Sequence, residues 1–512
     1  MNKTFRNRKC LASITANQEE KGMRRVTRKT IAAVLAVLSL CALLLSGCQN
    51  ETISNGNTEQ TDVAVDTVVN TTTESAECQE EEETEPSDPK DVFWIVTDES
   101  VGKLMAEKII DKFQAEHPEI QIKQQMLSSY DPSMTEGNGP DVFLLPAAQV
   151  SGEPLFADVN LAMRDGAFAD ISAYYDADTE LDKEGLVTAI MDAGVVDGTR
   201  YVLPLRYDMP VLYVDTYQLD DEGCTLEMLS GTIGELYDAV LASDNPKLAA
   251  AAAITDTAMS SSSLNFYPEI IDYDTREILV TAEEMLPLLQ SVQKARAVEM
   301  TNKMRFNNPP TDSFLIGRDM EYWNDVSCYY IGGMDDLLSY GIYTCAYYAP
   351  GLTMLPVTAV DGSVVADVTY YGAVGAGSKN PELAYEFLRW FLTEEGQWQE
   401  NEDVASSYIG WPVRAKGDIG VLARKYIANH SDTMKMLADH YRWSISDHGI
   451  QELPILDVAI DRVQFATNYE FKFKNEVVDL LNDEETGTVL EVDIEALVQA
   501  LLDKVEQQLT GE

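Results

Sequence analysis

Residues 91–145 read DVFWIVTDESVGKLMAEKIIDKFQAEHPEIQIKQQMLSSYDPSMTEGNGPDVFLL. Val92-Phe93-Trp94-Ile95-Val96 is a short, continuously apolar run, the pattern of a strand buried on both faces. Val101, Leu104, Met105, Ile109 and Phe113 then fall on one helical face, and Pro118 ends that helix. Glu119 to Leu127 reads as a second strand. Gly139-Pro140-Asp141 turns into a third, Val142-Phe143-Leu144-Leu145. Strand, helix, strand in this order predicts parallel α/β architecture. Two later segments fit the same layering. Asn380-Pro381-Glu382 has a capping residue, proline at the first helical position and an acid in the first turn, so it predicts a helix start. Leu383, Ala384, Phe387, Leu388 and Phe391 then form an apolar stripe. Ile494, Leu497, Val498, Leu501, Leu502, Val505 and Leu509 form another, and packed core explains both.

Upstream of this block the composition changes. Residues 49–90 hold twelve acidic residues, no basic one before Lys90 and no aromatic. Such a stretch cannot bury enough surface to offset its ordering entropy, and self-repulsion extends it, so it is expected to be a disordered tether. Residues 1–48 differ again, with nine Lys/Arg against two Asp/Glu. Arg24, Arg25, Arg28 and Lys29 precede an apolar run from Ile31 to Leu45, too short to span a bilayer and suited to a signal-peptide core. Met23, just before these basic residues, is the expected true start. The run ends in Leu45-Ser46-Gly47-Cys48, which resembles a bacterial lipobox. That resemblance implies lipidation of Cys48 and a membrane-anchored protein on the extracytoplasmic face, held by several acyl groups because one binds only marginally. The whole chain has a formal net charge of −49 over 512 residues. Nucleic acid is therefore not the expected partner, since phosphate binding needs basic surface.

The ordered pieces together resemble a family. A lipobox, an acidic tether and the Phe93-Trp94 strand are followed by Gly139-Pro140-Asp141-Val142-Phe143, then Asp197-Gly198-Thr199-Arg200-Tyr201-Val202-Leu203-Pro204 and Leu212-Tyr213-Val214-Asp215. Gly377-Ser378-Lys379-Asn380-Pro381-Glu382-Leu383-Ala384 then leads through a helix to Thr393-Glu394-Glu395-Gly396-Gln397. This is similar to the family 1 extracellular solute-binding proteins of bacterial ABC importers, most of which bind sugars, over roughly residues 91–512. The resemblance implies a two-lobed, type II periplasmic-binding-protein-like α/β clamshell whose hinge is made of crossing segments. Lobe one is expected to hold 91–206 and 371–409, and lobe two 207–370 and 410–512. The crossings are expected at Arg206–Met209, Thr369–Tyr371 and Ile409–Pro412. Closure on a solute touching both lobes would be a population shift. The implied partners are a mono- or oligosaccharide and the permease subunits, the protein itself acting as a monomer.

Ligands of open α/β sheets lie at the carboxyl ends of strands. That places Thr97, Asp98 and Glu99 after the first strand, and Pro146 to Gln149 after the third, at the candidate site. The first crossing adds Tyr207 and Asp208, where sugar-binding relatives often place an acid; a carboxylate accepts two vicinal hydroxyl protons in charge-assisted bonds. From Tyr322 to Tyr348 there are eight Tyr/Trp in 27 residues, against 9% aromatics in the chain. Aromatic faces stack on the C–H side of sugar rings. Trp323 and Asn324, Tyr371 at the second crossing, and Trp411 with Arg414 at the third complete the candidates. Asn265, Phe266 and Tyr267 are weaker ones.

Three departures from the family pattern bear on the ligand. Ser128 to Asn138 lacks an expected helix, Tyr370-Tyr371 stands where smaller residues are common, and Arg206 would suit an anionic solute such as a uronic acid. No cofactor or metal is expected: His117, His430, His440 and His448 are ill-spaced for a metal. Cys224, Cys328 and Cys345 are odd in number and lack a Cys-x-x-Cys pair. No nucleophile elbow or phosphate loop occurs, so the chain is expected not to be an enzyme. The alternatives are a binding lipoprotein that feeds a sensor or acts as an adhesin, and a glycoside hydrolase using two of the many carboxylates.

Overall fold

A computed structural model describes residues 91–99, 101–148, 154–215, 225–229, 231–242, 267, 269–291, 294, 329–333, 352–399, 410–414, 458–467, 482–483, 488–489 and 493–510. All of them lie in one compact unit, residues 85–512. The opening block forms as its pattern predicts: β1 (Asp91–Thr97), helix α1 (Val101–Glu116), β2 (Ile120–Gln125) and β3 (Val142–Pro146). The stretch 128–138 holds only a 3₁₀ turn at Pro132–Thr135, capped by the Asp131 carboxylate. β4 (Val202–Asp208) runs directly into β5 (Pro210–Asp215), followed by α2 (Ile233–Ala242), β6 (Tyr329–Gly333), β7 (Leu352–Pro356) and the ten-residue β8 (Val365–Val374). Then come α3 (Pro381–Arg389), β9 (Trp411–Pro412), β10 (Arg462–Phe465) and α4 (Ile494–Thr510).

The main sheet has the order β9-β4-β8-β3-β1-β2, with β10 also paired to β8. β1 is parallel to β2 and β3, as predicted, but β8 runs antiparallel to both β3 and β4. The sheet is therefore mixed, because β8 returns from a distant part of the chain instead of following a crossover helix. One face is closed by α1 and α3 through the ring contacts Phe93–Phe113 (5.6 Å), Phe93–Phe387 (6.0 Å) and Phe113–Phe387 (5.2 Å). Phe143, Phe156, Phe168, Tyr371 and Phe465 make a second aromatic chain on the sheet. Gly372 lets α3 approach, since a β-carbon there would meet a Leu388 methyl.

Asn380 precedes α3 as expected, with Pro381 at the first position, yet its side chain does not cap the helix. It turns to the Asp141 carboxylate (3.4 Å), which also receives the Ser378 hydroxyl (2.6 Å) and the Trp94 N–H (2.8 Å). Asp141 thus ties the start of β3 to β1 and to the α3 approach. The Asp197-Gly198 pair forms the turn of a small hairpin between 195–196 and 199–200, with both residues at positive φ.

A second hydrophobic cluster is separate from the first. Leu229, Ile233, Leu236, Met285 and Leu289 pack there with Val498, Leu501, Leu502 and Val505 of α4, whose buried positions match the predicted stripe. The antiparallel sheet β6-β5-β7 contributes Leu212. Residues 364–368 and β10, expected in the second lobe, are built into the main sheet because β8 is one continuous strand and carries β10 along its first half. Leu161, expected in the first lobe, is buried in the second cluster.

Candidate functional site

The site is built where three distant segments lie side by side. β4 carries the first. Its Tyr207 is the register partner of Trp411 on one side and of Val368 on the other, and its Arg206 pairs with Pro412 and Tyr370. The residues expected at the three crossings therefore share one patch of backbone ladder. The ladder is irregular there, with register shifts between Val368 and Tyr370 and between Tyr370 and Tyr371. Such bulges bend a strand and leave a residue out of the pairing. Gly410 enters this patch at φ +97°; a β-carbon would run into the Thr369 hydroxyl and, at 2.7 Å, the Tyr207 carbonyl oxygen. Only glycine serves there.

Asp208, Asp367 and Gln464 are register partners across β4, β8 and β10, which puts their side chains on one face of the sheet. Both carboxylates are buried. Asp367 and Gln464 were not foreseen. The visible signal was an Asp inside the apolar run Val364–Val368, but its partnership with Asp208 depends on pairing between strands far apart in sequence.

Asp98 lies at the carboxyl end of β1, where a ligand was expected, and its carboxylate is engaged. It accepts from the Val101 N–H (3.1 Å) and the Gly102 N–H (2.7 Å), capping α1, and from the Tyr370 hydroxyl. The charge there is stabilised by the unpaired N–H groups of the first helical turn. Burial and the adjacent Asp98 charge hold the Tyr370 hydroxyl protonated, well above the ordinary tyrosine range. Thr97 is buried beside it and accepts from Gln124 Nε2 (3.3 Å).

Tyr207 is buried, and burial followed by the Asp208 charge raises its pKa. Tyr371 is 1% exposed, its ring held 6.1 Å from both Phe168 and Phe465. In this conformation it belongs to the first core. Trp411 is buried opposite Tyr207. Arg414 turns away from the crossings: it donates to the Leu392 carbonyl (2.9 Å) and to the Asp182 carboxylate (2.6 Å). Tyr267 is core of the second cluster, its hydroxyl on the Met285 carbonyl (2.6 Å). Cys48, Gln149, Asn265, Phe266, Trp323 and Asn324 lie outside the described residues.

Arg206 is 1% exposed and forms no ion pair among the described residues. Its Nη2 donates to the Gln397 carbonyl (3.2 Å), and its Nε has no hydrogen-bond partner among the described residues. Burial without a counter-ion lowers its pKa from the ordinary arginine value. Gln397 was visible only as part of the Glu-Glu-Gly-Gln turn. It is buried under the crossings, in a π-helical turn at Glu395–Gln399. Among the described residues no group of three or more His, Cys, Asp or Glu could hold a metal ion, and no helix is long and apolar enough to cross a membrane.

The arrangement puts carboxylates in a row, buried aromatic rings and a buried guanidinium on segments that meet at one place. Carboxylates in such a row accept from donors, and the amide of Gln464 does either.

No protein-family model and no curated protein matches the chain. Solved structures similar to it include three sugar-binding proteins. The galacto-N-biose-/lacto-N-biose I-binding protein of an ABC transporter from Bifidobacterium longum, in complex with lacto-N-biose, is 13% identical over 82% of this chain and 98% of that one, with a TM-score of 0.47. The sugar-binding protein MalE from Xanthomonas citri is 15% identical over 82% and 97%, with a TM-score of 0.46. An ABC substrate-binding protein from Listeria monocytogenes, in complex with cycloalternan, is 13% identical over 83% and 100%, with a TM-score of 0.40. These identities and scores lie below the level at which likeness assigns a family.

Proposed function

We propose that this chain is an extracytoplasmic solute-binding protein, anchored by lipid at Cys48, that captures a carbohydrate and hands it to the permease of an ABC importer. The observation that carries the reading is the meeting of residues 206–208, 367–370 and 410–412 in one ladder, with Asp208 and Asp367 buried in register. Chain-distant crossings of this kind are what a clamshell hinge requires, and paired acceptors beside them suit vicinal hydroxyls. The ordered run of leader, Cys48, acidic tether and α/β block supports the same role. On this reading the solute sits at the carboxyl ends of β1 and β3, against Asp208, Asp367, Gln464, Tyr207 and Trp411, with Gln149, Trp323 and Asn324 supplying further contacts. The protein works as a monomer and catalyses nothing.

The test is a thermal-shift screen of residues 85–512 against mono- and oligosaccharides, uronic acids, amino acids and short peptides. A solute at 100 times its Kd adds about 2.7 kcal/mol, a rise of a few degrees. Stabilisation by sugars alone supports the proposal, and Asp208→Asn should then weaken the effect. Hits only among amino acids or peptides would discard the carbohydrate. Metabolic labelling with palmitate checks the anchor, since Cys48→Ala should remove the label and release the protein.

A further inference from the structure

Gln397 grips two of the three crossings at once. Its side-chain Nε2 donates to the Leu205 carbonyl (3.1 Å), at the end of the first crossing's approach, and to the Phe391 carbonyl (2.5 Å). Its Oε1 accepts the Val413 N–H (2.8 Å), just past the third crossing. Its own carbonyl receives Arg206 Nη2, and its N–H closes the turn on the Thr393 carbonyl (3.0 Å). The second crossing is fastened separately: the Tyr370 hydroxyl reaches Asp98, which caps α1, and lies 3.4 Å from the Leu144 carbonyl. Every fastening runs to the first core. The ladder between these fastenings is irregular, at the bulge around Thr369, whose carbonyl accepts the Ala147 N–H (2.9 Å), and at the positive-φ Gly410.

We infer that Gln397 is a positioning residue for solute capture: it holds the first and third crossings rigidly to the first core, so that bending falls outside the ladder they share. The inference rests on the clamshell reading above. π-helical turns are uncommon and recur at functional positions, which fits a glutamine whose side-chain groups and backbone carbonyl are used together. A residue that merely filled the core would not need its donors and acceptor divided between two separate segments. Gln397 touches no solute. It acts by fixing where the lobes pivot, and with that the population that can close.

The test is made without ligand on residues 85–512, so it does not depend on which solute binds. Spin labels carried on non-natural residues at the exposed positions 107 and 495 report the distance between α1 and α4. Gln397→Met should broaden the distance distribution about twofold, because a freed crossing adds a bending coordinate. Phe391→Leu, a buried apolar change next to the same turn, is the control: it should lower Tm while leaving the distribution as in the wild type. A Gln397→Met protein that lowers Tm but keeps the wild-type distribution overturns the inference, leaving Gln397 as core. Broadening in both variants overturns it too. If no sugar stabilises the wild type, the carbohydrate proposal fails, and the distance measurement still judges Gln397.

Discussion

Arg206 and Arg414 are both buried beside the crossings, and they are satisfied in opposite ways. Arg414, 7% exposed, follows β9 and spreads its guanidinium over the Leu392 carbonyl and the Asp182 carboxylate. Arg206, 1% exposed, sits in β4 and has, among the described residues, one carbonyl acceptor and an Nε that bonds nothing. A buried charge with a counter-ion and a full set of acceptors can recover its desolvation cost, whereas one without them does not. The difference separates two jobs. Arg414 fastens the third crossing to Leu392 of the first core and to Asp182. Arg206 is a charge the fold keeps at some expense in the first crossing, next to the proposed solute.

The largest effect should come from Arg414→Met. It strips the buried Leu392 carbonyl of its donor and leaves Asp182 alone, so urea unfolding should show a loss of about 2 to 3 kcal/mol. Arg206→Met should cost much less. It takes the donor from the Gln397 carbonyl, but it also removes an uncompensated buried charge, so the two effects offset and stability should change by no more than about 1 kcal/mol. A loss from Arg206→Met as large as that from Arg414→Met would erase the contrast and make both arginines structural. The same variant sharpens the ligand side. If Arg206 serves an anionic group, Arg206→Met should abolish stabilisation by glucuronate while sparing any by glucose. If neutral sugars are the solutes, their effects should be equal in both proteins.

Local features were the ones readable in advance. β1, α1, β2 and β3 each announce themselves through a short apolar run or a helical spacing, and each formed within a few residues of its expected limits. The α4 stripe was equally plain because one helix face supplies all of it. What depends on pairing between distant strands was not readable. Asp208 was singled out by its place at the first crossing, but nothing in the order of residues puts Asp367 and Gln464 beside it. Asp98 was chosen for its place after β1, and that same place makes it the cap of α1. Asn380 has the right identity to cap a helix, yet Asp141, 239 residues away, competes for its amide. Arg414 was grouped with Trp411 by adjacency, but a residue three positions on turns to another surface.

The smallest effect tests what holds Arg414. Its side chain is largely buried, whereas that of Asp182 is 63% exposed, so the ion pair is half in water and screened. Asp182→Asn keeps an acceptor oxygen at the same point and removes only the charge. It should cost well under 1 kcal/mol, as exposed pairs do, and that cost should shrink further as salt is raised. The Leu392 carbonyl would then account for most of what Arg414→Met loses, since it is buried and has no water to turn to. Arg414→Lys should fall between the two variants, because an ammonium cannot span both acceptors with a planar fork. A salt-sensitive loss from Asp182→Asn equal to that from Arg414→Met would reverse the assignment. The counter-ion would then hold the third crossing, and Arg206, which has none, would differ from Arg414 in kind rather than in the number of its acceptors.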